Sequence, residues 1–153
     1  MHINTKVFGE VEIDEDRIIR FGNGIVGFPE LTEFALLHDD TSGKRAGIRW
    51  MQSIQEPAFA MPVMDPLDVI GDYNPEVDDE LLRPLGTMHP EEMLVLVTIT
   101  VPADIKKMSV NLRAPFIING ANRHACQVIA EGEQYQVRFP IYDILQAAKK
   151  AGE

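Results

Sequence analysis

A single cysteine, Cys126, is found in the 153 residues, so no disulfide can close within the chain and nothing points to an oxidising compartment. Long apolar runs are missing as well. The opening Met1-His2-Ile3-Asn4-Thr5-Lys6 lacks the apolar stretch of a secretory signal, and no run approaches the length a bilayer span requires. A cytoplasmic protein without a membrane partner is the expectation. Bases are scarce: 14 Lys and Arg face 24 Asp and Glu, a net charge of −10. That deficit argues against direct nucleic-acid binding over a broad surface and favours a cationic protein partner. What is present is an ordinary globular balance, 45% hydrophobic and 25% charged residues, with enough length for one domain of the usual size and no need for a disulfide or structural metal.

The negative charge is concentrated. Residues 65–92 hold nine acids (Asp65, Asp68, Asp72, Glu76, Asp78, Asp79, Glu80, Glu91, Glu92) and one base, Arg83, and so account for −8 of the −10. Pro57, Pro62, Pro66, Pro75, Pro84 and Pro90 punctuate this part of the chain, a spacing that speaks against a long helix or a central strand there. An irregular excursion from a sheet is expected. Asp78 is placed to cap a short helix over residues 79–85, with acids in its first turn and Pro84 and Gly86 to stop it. Solvated acidic loops are common; segregation of the acids onto a non-core segment favours instead a negatively charged docking surface. Its candidate residues are Asp65, Asp68, Asp72, Glu76, Asp78, Asp79 and Glu80.

Elsewhere strand patterns dominate. Residues 10–14, 108–113 and 135–139 alternate apolar with polar, as antiparallel strands with one wet face do. Apolar runs at 18–21, 34–37 and 94–101 read as buried strands, and two more are expected at 116–118 and 126–130. Turn signals lie at Phe8-Gly9, Gly22-Asn23-Gly24, Pro102-Ala103-Asp104, Asn119-Gly120 and Glu131-Gly132. After Pro140, apolar residues at Ile141, Ile144, Leu145 and Ala148 share a helical face, with Lys149 and Lys150 in the last turn and Gly152 beyond. The fold class is therefore mainly β: a small barrel-like, mostly antiparallel sheet with a short acidic helix or loop excursion at about 65–92 and a C-terminal amphipathic helix. Residues 1–140 form one domain and 141–153 the helix and tail.

Motifs that carry chemistry are weak. Gly22-Asn23-Gly24-Ile25-Val26-Gly27 matches G-x-G-x-x-G and has Asp39 downstream, but a dinucleotide site needs a helix opening inside the glycine turn and a long crossover to a parallel strand. Residues 22–33 leave no room for one, and Pro29 interrupts it. A glycine turn between antiparallel strands is expected instead. His2, His38, His89 and His124 are scattered, and His124 with Cys126 lacks further ligands at a recognised spacing, so no metal and no cofactor are expected. No nucleophile elbow surrounds Ser42, Ser53 or Ser109. The pairs Asp39-Asp40 and Asp78-Asp79 have the chemistry of acid–base groups, yet adjacent acids on wet turns are usually only solvated. An enzyme binding a small molecule through the glycine turn or these pairs is the alternative reading. Arg113, Arg123 and Arg138, near Phe116, Tyr135 and Phe139, are read as salt-bridging on the outer sheet face.

Several segments, taken in order, resemble the FliW family of flagellar assembly factors. They begin with Thr5-Lys6-Val7-Phe8-Gly9-Glu10-Val11-Glu12-Ile13-Asp14 and Ile18-Ile19-Arg20-Phe21-Gly22-Asn23-Gly24-Ile25-Val26-Gly27-Phe28. They continue with Trp50-Met51-Gln52-Ser53-Ile54-Gln55-Glu56-Pro57, Met61-Pro62-Val63-Met64-Asp65-Pro66, Asn111-Leu112-Arg113-Ala114-Pro115 and Tyr135-Gln136-Val137-Arg138. The resemblance spans residues 2–142; the family usually has proline where Val26 stands and histidine where Phe139 stands. It implies a non-enzymatic β-barrel protein that binds flagellin in the cytoplasm and also binds CsrA, an RNA-binding translational repressor. The implied logic is a partner switch in which flagellin export frees the protein to antagonise the repressor.

Overall fold

A computed structural model describes residues 1–37 and 48–151. Within them the strands are β1 (His2–Thr5), β2 (Gly9–Glu12), β3 (Ile19–Phe21), β4 (Glu33–Leu37), β5 (Arg49–Ser53), β6 (Ala60–Met64), β7 (Met93–Thr100), β8 (Ser109–Val110), β9 (Phe116–Asn119), β10 (His124–Gln127) and β11 (Phe139–Pro140). Two α-helices, α1 (Asp79–Leu82) and α2 (Tyr142–Ala151), complete the regular structure together with short 3-10 turns. His38, Asp39, Asp40, Ser42 and Gly152 lie outside the described residues.

Strands β3 to β7 pair in sequence order, each antiparallel to the next. β7 then pairs antiparallel with β9, and β9 with β10. The ring closes where β10 meets β3 in parallel, with His124 opposite Arg20 and Ala125 opposite Phe21. Seven strands thus form a closed barrel, which removes the free edges an open sheet would present. β8 and β11 extend the sheet from β7. β8 and β9 lie along β7 in turn, separated by residues 111–115, where Asn111 Oδ1 accepts from the backbone N–H groups of Arg113 and Ala114, both at 3.1 Å.

Alternation along the strands sends one face into the barrel. Phe21, Phe34, Met51, Val63, Leu96, Phe116 and Ala125, one from each strand of the ring, meet inside and are buried. Phe21 packs edge-to-face on Phe34 and Phe116, with ring centroids 5.5 and 5.3 Å apart, the arrangement aromatic quadrupoles favour. The outer faces are covered too. Ile141, just before α2, and Leu145 within it pack onto Met64, Val97, Ile99 and Val110, a second core. The β1–β2 hairpin lays Ile3 and Val11 over Ala35 and Ile54, a third. Val77, Leu82, Leu85 and Met88 cover Ile117 and Val128, a fourth. Burial on both faces explains why β7 reads as a continuous apolar run rather than an alternating one.

Several expected boundaries move. β1, β5 and β6 are strands without a distinctive pattern in the sequence. The expected strand at 135–139 is confined to Phe139–Pro140, and that at 108–113 to Ser109–Val110, because the Asn111 turn ends the ladder on which both depend. The strand expected at 126–130 is assigned at His124–Gln127, yet its register continues, since the N–H groups of Val128 and Ala130 donate to the carbonyls of Pro115 and Arg113. Pro62 stands within β6, a strand between β5 and β7, contrary to the expectation from proline spacing. β7 pairs with β6 only at Val63 and Met64, so Pro62 lies beyond the stretch of β6 that β7 pairs with.

The loop from β3 to β4 depends on Gly24. Its φ is +69°, and a Cβ there would stand 2.4 Å from the carbonyl oxygen of Pro29. Gly24→Ala is expected to destabilise the fold by about 2 kcal/mol or more, combining left-handed strain with a backbone clash. The check is a lowered urea midpoint at unchanged m value.

Candidate functional site

Residues 65–92 leave β6 and return to β7 by an irregular path that is anchored on its apolar side. Asp65 Oδ1 accepts from the N–H of Leu67 at 2.9 Å and opens a 3-10 turn over Pro66–Asp68. Val69, Ile70 and Tyr73 enter the second core. The Tyr73 hydroxyl donates to the carbonyl of Leu112 at 2.6 Å, and the Tyr135 hydroxyl accepts from the N–H of Asn74 at 2.8 Å. Burial raises the Tyr73 hydroxyl far above the ordinary tyrosine value, with Tyr135 adding to the shift, so it stays a neutral donor.

Further along, Asp78 Oδ1 accepts from the N–H of Glu80 at 3.0 Å and caps α1. The helix tightens into a 3-10 turn over Arg83–Leu85 and stops at Gly86, whose φ is +79°. This matches the short helix expected over 79–85. Buried Asn119 on β9 holds the turn down: its Nδ2 donates to the carbonyls of Leu85 at 2.9 Å and Thr87 at 3.1 Å. Asn122 Nδ2 donates to Leu85 as well, at 3.0 Å.

The candidate acids therefore divide. Asp68, Asp72, Glu76, Asp78, Asp79 and Glu80 are exposed and Asp65 is half-buried. Asp65 and Asp78 already serve as caps, and Glu80 pairs with Arg83, the one base of the stretch. The carboxylates of Asp68, Asp72, Glu76 and Asp79 make no hydrogen bond or ion pair to another described residue. Partial burial, then the nearby Asp65 charge, raises the Asp68 carboxyl above the usual range, with Arg49 opposing. Asp65 and Asp68 start the segment beside the second core, whereas Asp78, Asp79 and Glu80 open α1 above the fourth, so the seven acids do not gather in one cluster.

One addition comes from the fold. The N–H of Glu131 donates to the carbonyl of Glu76 at 2.8 Å, which brings the exposed Glu131-Gly132-Glu133 turn alongside the excursion. Its charges were visible in the sequence; its neighbour was not.

Other candidates resolve differently. Residues 22–27 form a glycine turn joining antiparallel β3 and β4, with no helix to face a pyrophosphate. Among the described residues no group of three His, Cys, Asp or Glu is placed to hold a metal ion. Arg113, Arg123 and Arg138 form no ion pair with a described residue, so the expected salt bridging is not seen among the described residues. Arg123 instead takes a left-handed turn conformation, φ +60°, between β9 and β10. Cys126 is half-buried in the fourth core, and burial raises its thiol above the ordinary value. No described helix is long and apolar enough to cross a membrane.

Two expectations follow from this packing. Asn119→Ala leaves the Thr87 carbonyl without its donor and the Leu85 carbonyl with Asn122 alone, and should accelerate hydrogen exchange across residues 83–88 and cost about 2 kcal/mol. Alkylation of Cys126 depends on the thiolate, so in the folded protein its rate should rise with pH only above the range where a free cysteine responds, and unfolding in urea should restore the ordinary profile.

Comparison with known proteins adds the remaining evidence. The family described as FliW protein matches residues 2–141. The flagellar assembly factor FliW of Lachnoclostridium phytofermentans is 44% identical over 155 aligned positions, covering 100% of this chain and 99% of that protein. The protein of the same name from Lachnospira eligens is 44% identical, with 95% and 97% covered. A crystal structure of the flagellar assembly factor FliW superimposes with a TM-score of 0.84 at 30% identity, covering 93% of this chain and 97% of that one.

Proposed function

The chain belongs to the FliW family of flagellar assembly factors, and from that premise we propose that it acts by binding two protein partners in the cytoplasm, flagellin and the RNA-binding repressor CsrA. It performs no catalysis in this reading. While flagellin occupies it, the repressor is free to block flagellin translation; once flagellin is exported, the vacated protein binds and antagonises the repressor.

The observation that carries the reading is the construction of the acidic excursion. Its apolar side chains are buried in two cores, its backbone is pinned by Tyr73, Tyr135 and Asn119, and its carboxylates are left facing water. A protein that binds RNA carries cationic surface, and a fixed anionic surface steers such a partner into encounter. Asp68, Asp72, Glu76 and Asp79 are the strongest candidates for contact, since their carboxylates have no described partner within the fold. Asp65, Asp78 and Glu80 contribute charge while also holding local structure. The alternative of a small-molecule enzyme has little support, because the glycine turn lacks its helix and the pair Asp78-Asp79 is divided between a cap and a solvated first turn.

Asp78, Asp79 and Glu80 changed together to Lys should lower the association rate with CsrA at least about tenfold at low salt and flatten its dependence on ionic strength. Stopped-flow binding across a salt series measures this, and unchanged kinetics would remove the opening of α1 from the interface. The switch itself requires that flagellin and CsrA displace one another. Size-exclusion chromatography of the mixture tests it, and a stable ternary complex with both partners held at full strength would rule it out.

A further inference from the structure

One end of the barrel is apolar at its centre and acidic at its rim. β3 and β10 run parallel, so the residues following both strands emerge at the same end; their antiparallel partners β4 and β9 begin there, as does β6, and β5 ends there. The mouth is consequently built from residues 22–32, 54–59, 111–115 and 128–134, and the β7–β8 connection, residues 101–108, leaves from the same end.

Three glutamines lock these loops together. Gln127 Oε1 accepts from the N–H of Val26 at 2.7 Å, and its Nε2 donates to the carbonyl of Ala114 at 3.1 Å. Gln55 Oε1 accepts from the N–H groups of Thr32 and Glu33 at 2.7 and 3.1 Å, while its Nε2 donates to the carbonyl of Glu30 at 3.2 Å. Buried Gln52 donates to the carbonyls of Pro57 and Phe59 at 2.9 and 3.2 Å. The mouth is therefore preorganised, which lowers the ordering cost of binding.

What these bonds hold in place is apolar. Val26 is 64% exposed, Ile129 51% and Phe28 41%. Phe28 stacks on half-buried Phe59 at a centroid distance of 4.8 Å, and Phe59 rests on Phe34 of the barrel core. Ile129 follows Gln127 by two residues in a register that remains unbroken to Ala130, so both face the same side of the strand, about 7 Å apart. Around this centre the four loops carry four acids (Glu30, Glu56, Glu131, Glu133) and one base, Arg113, and the β7–β8 connection adds Asp104, Lys106 and Lys107, so acids still outnumber bases, five to three.

We propose that this barrel mouth is a docking surface for an amphipathic peptide segment of another protein, one whose apolar side chains are flanked by lysine or arginine. The apolar centre supplies the anchor, as buried hot spots do, and the carboxylate rim selects against acidic segments. The surface adjoins the middle of the excursion, where Tyr73 bonds to Leu112 and Glu131 to Glu76, but its apolar centre at Val26, Phe28 and Ile129 comes from other segments, so serine substitutions there test it separately from the acids of 65–92.

The test uses the full chain and two labelled peptides of equal positive charge, one built from Leu and Lys and the other from Ser and Lys, followed by fluorescence anisotropy at physiological salt. The wild type should bind the Leu/Lys peptide at least about tenfold more tightly than the Ser/Lys peptide. Val26→Ser combined with Ile129→Ser should abolish that difference while leaving the melting temperature in place, because both side chains are largely exposed. The triple lysine variant at Asp78, Asp79 and Glu80 should keep it. Equal binding of both peptides by the wild type overturns the proposal, as does discrimination that survives in the double serine variant. Sedimentation showing a dimer that the serine substitutions dissolve would assign the surface to a second copy of the chain instead.

Discussion

The contact of Phe21 with Phe34 and Phe116 is the constraint from which the rest of the fold proceeds. The three rings come from β3, β4 and β9, strands that do not all neighbour one another in sequence, and they meet only if the sheet curls shut. Closure then fixes which residues face outward, and the outward apolar residues must in turn be covered. The hairpin covers one outer face and residues 77–88 of the excursion another, while α2 shares a third with Val69, Ile70 and Tyr73 of the excursion. The excursion is thus held by the same alternation that fills the barrel: Phe116 and Ile118 point in, and Ile117 points out to Leu85.

A barrel plugged by side chains offers its exterior for recognition. On that exterior, polar groups of the backbone are tied down by a few long-range side-chain bonds rather than by extra ladders. Asn119 and Tyr73 secure the excursion; Gln52, Gln55 and Gln127 secure the mouth. Gln52 does so at a cost, for its Oε1 is buried and has no hydrogen-bond partner among the described residues, and such an acceptor is tolerated only where its other contacts compensate.

Legibility from the sequence followed burial geometry. β7 was readable because both of its faces are dry, and the cap at Asp78 because capping is a local bond between near neighbours. β6 was obscured by Pro62, whose tolerance depends on how little of β6 pairs with β7, a fact of register rather than of composition. Charge in 65–92 was countable, but that Asp65 also serves as a cap, and which carboxylates stay free, required the backbone. The apolar mouth was hidden for another reason: Val26 and Ile129 lie 103 positions apart, and only the bond from Val26 to Gln127, two residues before Ile129, brings their segments to one end of the barrel. Val26 also occupies the turn position before Gly27, whose φ is +88°, a place where proline is favoured; valine there keeps the N–H that Gln127 accepts.

The parallel pair of β3 with β10 carries a consequence for how the chain is made. The pairings from β3 round to β9 can begin before β10 is made, yet closure waits for residues near His124, when most of the chain already exists. Until then Phe21 and Phe34 belong to an open sheet with two unpaired edges, the state in which β proteins aggregate or recruit chaperones. Translation that pauses or truncates before β10 leaves a product that cannot bury its own centre, so the quality of each molecule is decided late in its synthesis.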